Sequence, residues 1–240
     1  MNATFKRPTV KLPETIKTDG RSKCGELYDA ETVEVFDEMN AISECANAIN
    51  DFVSDGGNKT FVKTHMVTFQ NRAKDIRVYV DIYKYNDKQM LKLFTINPIS
   101  SLHSELSDDD ILSVELKIIR EVAFQKSAYE INNKCGFESP SVDNFGKFTS
   151  HKNKQCFYIL MPIMNGIMLT CEQNTAEFKA KITLINKRLI MYKNIYHNDL
   201  TYRNILIGTN PEIQIIDFGE ADNTGDNDTG SLTALLNESL

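Results

Sequence analysis

Neither a disulfide framework nor a zinc-binding pattern can be found in this 240-residue chain. Its five cysteines (Cys24, Cys45, Cys135, Cys156 and Cys171) are scattered, odd in number and without any Cys-x-x-Cys spacing. The four histidines are equally dispersed. Reduced thiols in a cytoplasmic protein are the expectation that fits this usage. No apolar run reaches the length of a membrane span, and the longest, around Cys156 to Met161, is interrupted at Pro162. A hydrophobic signal core is missing from the N-terminus as well. The net charge of −6 lacks the basic excess of a dedicated nucleic-acid binder, so no specific nucleic-acid partner is expected.

What remains is ordinary globular composition, with 41% hydrophobic and 25% charged residues, enough for one or two domains with a sizeable core. Residues 1–28 read as a basic tail carrying Lys6, Arg7, Lys11, Lys17, Arg21 and Lys23. Residues 29–57 read as an amphipathic helical extension. Val35, Met39, Ile42, Ala46, Ile49 and Val53 fall on alternating steps of four and three, and Asp55-Gly56-Gly57 ends the pattern. Strand-like runs follow at Thr60–Phe69, Ile76–Tyr85 and Gln89–Ile96, with a turn at Asn86-Asp87. The acids Asp108-Asp109-Asp110 then precede a helix expected over Ile111–Ile131, where they suit the helix dipole better than a metal. Further strands are expected at Ser141–Phe148 and Cys156–Met161. Asn174-Thr175-Ala176-Glu177 has a capping-box pattern, opening a helix whose apolar face runs Phe178, Ile182, Ile185, Leu189. A short final helix is expected at Ser231–Leu236.

The informative stretch is His197-Asn198-Asp199-Leu200-Thr201-Tyr202-Arg203-Asn204, with Asp217-Phe218-Gly219 beginning thirteen residues after Asn204. Between them lie Ile205-Leu206-Ile207 and Ile213-Gln214-Ile215-Ile216, separated by Gly208-Thr209-Asn210-Pro211. Two β-branched runs around such a turn predict a hairpin, which brings Asn204 and Asp217 together at one end. An amide and a carboxylate there are hard oxygen donors of the kind Mg²⁺ prefers, and Asp199 stands nearby as a base.

These residues resemble the catalytic loop and the Asp-Phe-Gly element of the protein-kinase superfamily. The resemblance is sharp over Ile195–Ala221 and covers about Thr60–Ala221, fading towards the N-terminus. It implies an α+β, bilobal protein-kinase-like fold with a truncated C-terminal lobe: residues 58–164 as the N-lobe and 165–240 as a minimal C-lobe. The implied activity is an ATP- and Mg²⁺-dependent transferase, a serine/threonine protein kinase with a protein substrate. Asp199 would orient the acceptor hydroxyl, and Asn204 and Asp217 would hold the metal.

Carried over residue by residue, the family's phosphate-anchoring lysine matches Lys92 in Met90-Leu91-Lys92-Leu93-Phe94, with Lys84 as the alternative. Its ion-pair partner matches Glu121, with Glu115 and Glu130 as alternatives. Phe157 to Gly166 resembles the fifth strand and hinge. There Met161 would stand against adenine, the Pro162 carbonyl would accept a hydrogen bond from the base, and the Met164 N–H would donate one to it. Proline is compatible because its position needs only an acceptor.

Three features depart from the family. Gln70-Asn71-Arg72-Ala73-Lys74-Asp75 stands where a glycine-rich loop is expected, which bears on how phosphate is gripped. His197-Asn198-Asp199 has Asn where regulated kinases carry Arg, so no phosphorylated activation-loop switch is expected. Thr201 replaces the loop lysine. The third departure is that the chain ends at Leu240, soon after Gly219, leaving no room for the usual substrate-binding helices. Minimal kinases of large DNA viruses and pathogen effectors are similar in this respect, which suggests action in a host cytoplasm. Two other readings stay open: a pseudokinase scaffold or decoy, and a small-molecule kinase of the choline or aminoglycoside type.

Overall fold

A computed structural model describes residues 34–36, 38–39, 44–55, 59–71, 74–97, 106–209, 213–224 and 229–237. The basic tail 1–28, the Gly56-Gly57 stop and the Asn210-Pro211 part of the hairpin turn lie outside the described residues. The protein is α+β, with helices beside two antiparallel sheets.

Helix α1 (Glu44–Ser54) precedes three long strands, β1 (Thr60–Asn71), β2 (Lys74–Lys84) and β3 (Gln89–Asn97). Helix α2 (Asp108–Cys135) leads into β4 (Asn144–Thr149), β5 (Gln155–Pro162) and the two-residue β6 (Ile167–Met168). Helix α3 (Ala176–Lys193), the hairpin β7 (Ile205–Ile207) and β8 (Ile213–Ile215), and α4 (Thr229–Asn237) complete the order. One sheet runs β1-β2-β3-β5-β4 and the other β6-β7-β8.

The period-2 alternation of β2, β3 and β5 gives the larger sheet two apolar faces, and each is covered. On one face Ile76, Val78, Val80, Phe94, Phe157 and Ile159 pack against the first half of α2, through Val114, Ile118 and Val122. Val35 and Met39, in the helical stretch before α1, are buried in the same core. On the other face Leu91, Leu93, Tyr158 and Leu160 pack against Ala46 and Ile49 of α1. A third core joins Ala128, Ile131 and Cys135 of α2 to Phe178, Ile182, Ile185 and Leu189 of α3 and to the β7–β8 hairpin. Helix α2 therefore contributes to both the sheet core and the helical core.

Several boundaries differ from the sequence expectation. Helix α2 starts at Asp108 and not Ile111. Ser107 is its N-cap, and the Asp110 carboxylate accepts from the Ser107 backbone N–H at 2.9 Å, completing a capping box. The acids thus form the first turn itself. The cap of α3 is Thr175, whose hydroxyl accepts from the Phe178 N–H, and not Asn174. The Asn174 amide instead donates to the Tyr202 hydroxyl and the Leu235 carbonyl, tying α4 to the loop before β7. Strand β4 begins at Asn144 and not Ser141, because the Ser141 hydroxyl turns back onto the Asp143 carboxylate. Helix α4 is longer than expected at both ends. Among the described residues no helix is long and apolar enough to cross a membrane.

Candidate active site

The sheet register lines up the site. Ile82 of β2 stands opposite Lys92 of β3, on the face that packs against α2. Burial there would leave an ammonium unstable alone. Lys92 is only 6% exposed, and its Nζ donates to the Glu121 carboxylate at 2.6 Å and to the Asp217 carboxylate at 2.8 Å. Glu121 lies mid-way along α2 and is itself 5% exposed. The structure also separates these residues from their alternatives. Lys84 pairs with Asp87 at the surface, Glu115 with Lys147, and Glu130 with Lys193.

The charges of this trio are coupled. Burial alone would lower the Lys92 ammonium, but Asp217 and Glu121 outweigh it and raise the group above the usual lysine range. The Lys92 ammonium holds Asp217 well below the usual carboxylate range, against the opposing effect of burial. Burial pushes Glu121 up, with Lys92 pulling the other way. Lys92 is thus held as a cation, and Asp217 carries the firmer negative charge.

The loop before β7 is fixed by hydrogen bonds to its own neighbours. His197 is fully buried, with its Nε2 3.2 Å from the Ile216 carbonyl oxygen and its ring 4.8 Å from that of Phe218. Asn198 takes a left-handed φ of 62° and donates its amide to the Glu220 carbonyl at 2.9 Å. The Asn204 amide nitrogen donates to the Asp199 carbonyl at 2.9 Å and to its carboxylate at 2.7 Å. At the end of β8, Asp217 has a φ of 65°, a left-handed conformation that Asp tolerates better than most residues. Phe218 fills the helical core beneath it, fully buried. The hairpin expected from the sequence is present, pairing Ile205 with Ile215.

Two adjoining cavities meet at this cluster. One, of ≈ 280 Å³, is lined by Lys63 and His65 of β1, Lys117 of α2, Asp199, Arg203 and Asp217. The other, of ≈ 290 Å³, is mainly apolar, with Val62, Ile82, Met161, Leu206 and Ile216 in its walls. Pro162 and Met164 line the same cavity where the chain leaves β5. Its edge is pinned by the Ile163 N–H, which donates to the Lys88 carbonyl at 2.8 Å. Lys92, Glu121, Asn204 and Asp217 border both spaces. Lys92, Glu121, Met161, Pro162, Met164, Asp199, Asn204 and Asp217 thus line these two adjoining cavities, whereas Lys84, Glu115 and Glu130 do not.

No family model matches the chain, and no curated protein matches it.

Sequence reasoning passed over four cationic or basic groups in this cleft: Lys63, His65, Lys117 and Arg203. Arg203 sits inside the informative stretch, next to Asn204, and its exposure was the missing information. Lys63 and His65 alternate along β1, but their face could not be read from alternation alone. The donors fit Mg²⁺ in chemistry: the Asn204 nitrogen is committed to Asp199, which leaves its Oδ1, and Asp217 supplies a carboxylate.

Proposed function

We propose that this chain is an ATP- and Mg²⁺-dependent phosphotransferase of the protein-kinase kind, acting on serine or threonine hydroxyls of a protein. The observation that carries the reading is Lys92 bridging Glu121 and Asp217 at the head of a cleft that also holds Asp199 and Asn204. A buried cation shared between two carboxylates, with one end open to a cavity, suits an anionic phosphate chain. The apolar cavity beside it suits a flat base, with Ile82, Leu206 and Ile216 in its lining.

In this mechanism Asp199, held in orientation by the Asn204 amide, accepts a hydrogen bond from the acceptor hydroxyl and takes its proton. The hydroxyl oxygen bonds to the terminal phosphorus as the bond to the bridging oxygen of ADP breaks. Lys92 and Arg203 offset charge on the phosphate oxygens. Mg²⁺, held by Asn204 and Asp217, would supply further charge neutralisation.

A second reading, a non-catalytic nucleotide-binding scaffold, is favoured by the absence of any glycine between Lys59 and Asp75. One experiment addresses both. Thermal melts are recorded with and without Mg²⁺-ATP for the wild type and Asp217→Ala, beside phosphate transfer to a protein mixture by the wild type and Asp199→Asn. Ligand at a hundred times its dissociation constant stabilises a folded protein by about 2.7 kcal/mol, a shift of several degrees. The kinase reading expects a Mg²⁺-dependent shift lost in Asp217→Ala, and transfer lost in Asp199→Asn. A shift without any transfer favours the scaffold. No shift at millimolar ATP removes both readings.

A further inference from the structure

We propose that Lys63 and His65, side chains of β1, grip the phosphate chain of the nucleotide where a glycine-rich loop would use backbone N–H groups. The inference rests on the nucleotide-binding reading above and says how that same site holds its ligand.

The key is a register shift in β1. Phe61 stands opposite Tyr83, yet Lys63 stands opposite Ile82, so one extra residue, Val62, is accommodated between them. Phe61 belongs to the face away from α2, where its ring meets Tyr83 at 5.6 Å. Strict alternation from Phe61 would put Lys63 and His65 on that outer face too. The bulge reverses them: Val62 and Lys63 both line the cleft, and every second residue after Lys63 follows it. His65 falls opposite Val80, which pairs with Phe94, whereas Lys63 falls opposite Ile82, which pairs with Lys92. Two cross-strand rows thus place Lys63 in line with Lys92 and His65 in the adjacent row on the same face.

Arg203 is exposed at the opposite wall, from the loop before β7, and two other cations of the cleft have commitments. Lys92 is shared between Glu121 and Asp217, and the Lys117 Nζ lies 4.4 Å over the Phe69 ring. Among the described residues no carboxylate is paired with Lys63, which is exposed at the mouth of both cavities. His65 follows Lys63 along the same wall, before Val67 and Phe69; its Nδ1 is buried, so a ligand in the cleft would meet the other ring nitrogen, Nε2. A phosphate oxygen would accept from an imidazole N–H and from the Lys63 ammonium together.

The test is calorimetric titration of the full chain with Mg²⁺-ATP and, separately, with adenosine. Lys63→Ala and His65→Ala are compared with Lys63→Arg and the double variant K63A/T64K, which restores the charge one residue along, where the strand turns it to the outer face. Each alanine variant is expected to weaken Mg²⁺-ATP about tenfold or more and to leave adenosine within about twofold of wild type. Lys63→Arg should retain most of the affinity, and K63A/T64K should behave as Lys63→Ala. Alanine variants that melt like wild type and bind Mg²⁺-ATP as tightly overturn the inference while leaving the nucleotide site intact. A wild type that binds neither ligand overturns the nucleotide reading and this inference with it. Rescue by K63A/T64K would show that net charge, and not the bulge-set position, is what matters, and would overturn the proposal as stated.

Discussion

Asn204 donates one amide nitrogen to two oxygens of Asp199, the carbonyl at 2.9 Å and the carboxylate at 2.7 Å. The carboxylate is thereby fixed relative to its own backbone, five residues upstream. Losing the carboxylate and losing its anchor should therefore have separable effects. Asp199→Asn should lower phosphate transfer by about 10²–10⁴-fold with Mg²⁺-ATP affinity little changed. Asn204→Ala should lower both transfer and Mg²⁺-dependent binding, since it removes the anchor and an oxygen donor. Equal losses of binding in the two variants would contradict this division.

Lys92→Met removes the cation between two carboxylates and leaves Glu121 buried. Unfolding in urea should show a loss of about 3–5 kcal/mol near neutral pH. The size of that loss should depend on pH in a defined direction. Burial raises the Glu121 carboxyl, and deleting Lys92 removes the group that pulls it down. The folded variant then binds a proton that the unfolded chain does not hold, so its stability falls as pH rises and recovers as pH falls. A pH-independent loss would show that Glu121 had found water or another partner.

His65 should titrate below 6.5 by nuclear magnetic resonance, because burial and the nearby Lys92 and Lys63 disfavour its cation. The unfolded chain takes up this proton first as pH falls through 6.5, so the group makes acid conditions slightly destabilising. Lys63→Ala should move the midpoint upward by removing one of the opposing cations. An unchanged midpoint would separate Lys63 from His65.

Gly166 lies where the chain crosses from β5 towards β6. A Cβ there would sit 2.5 Å from Gln214 Oε1 and 2.6 Å from Leu206 Cβ. Gln214 is buried with its amide donating to the Glu138 carboxylate at 2.9 Å, and Leu206 is held in β7, so neither yields freely. Gly166→Ala should cost about 1–3 kcal/mol and weaken adenosine binding, since Leu206 lines the apolar cavity. A variant as stable as wild type would mean that the hairpin shifts without strain.

The local parts of this architecture were legible because they rest on local rules. The β-branched runs around residues 208–211 specify the hairpin, and the spacing of Phe178, Ile182, Ile185 and Leu189 specifies the buried face of α3. What the sequence left open were choices made across long separations. Glu115, Glu121 and Glu130 are equally compatible with a helix, and only the docking of α2 on the sheet, 29 residues from Lys92, distinguishes them. Lys84 and Lys92 both sit in strands, and burial separates them. Lys63 and His65 were hidden for a different reason: one bulged residue inverts the faces of the whole strand after it. The capping-box pattern at residues 174–177 marks where α3 opens, but the distant partners of the Asn174 side chain, Tyr202 and Leu235, leave no trace in local spacing.

Helix α2 has a final consequence. Its first half is embedded under the sheet and its last turns are clamped to α3, through the Arg188 guanidinium on the Cys135 carbonyl and the Lys193–Glu130 pair. Glu121 lies between the two anchorages. Any change in the separation of the sheet and α3 would have to be borne by this single helix, along the stretch that carries Glu121.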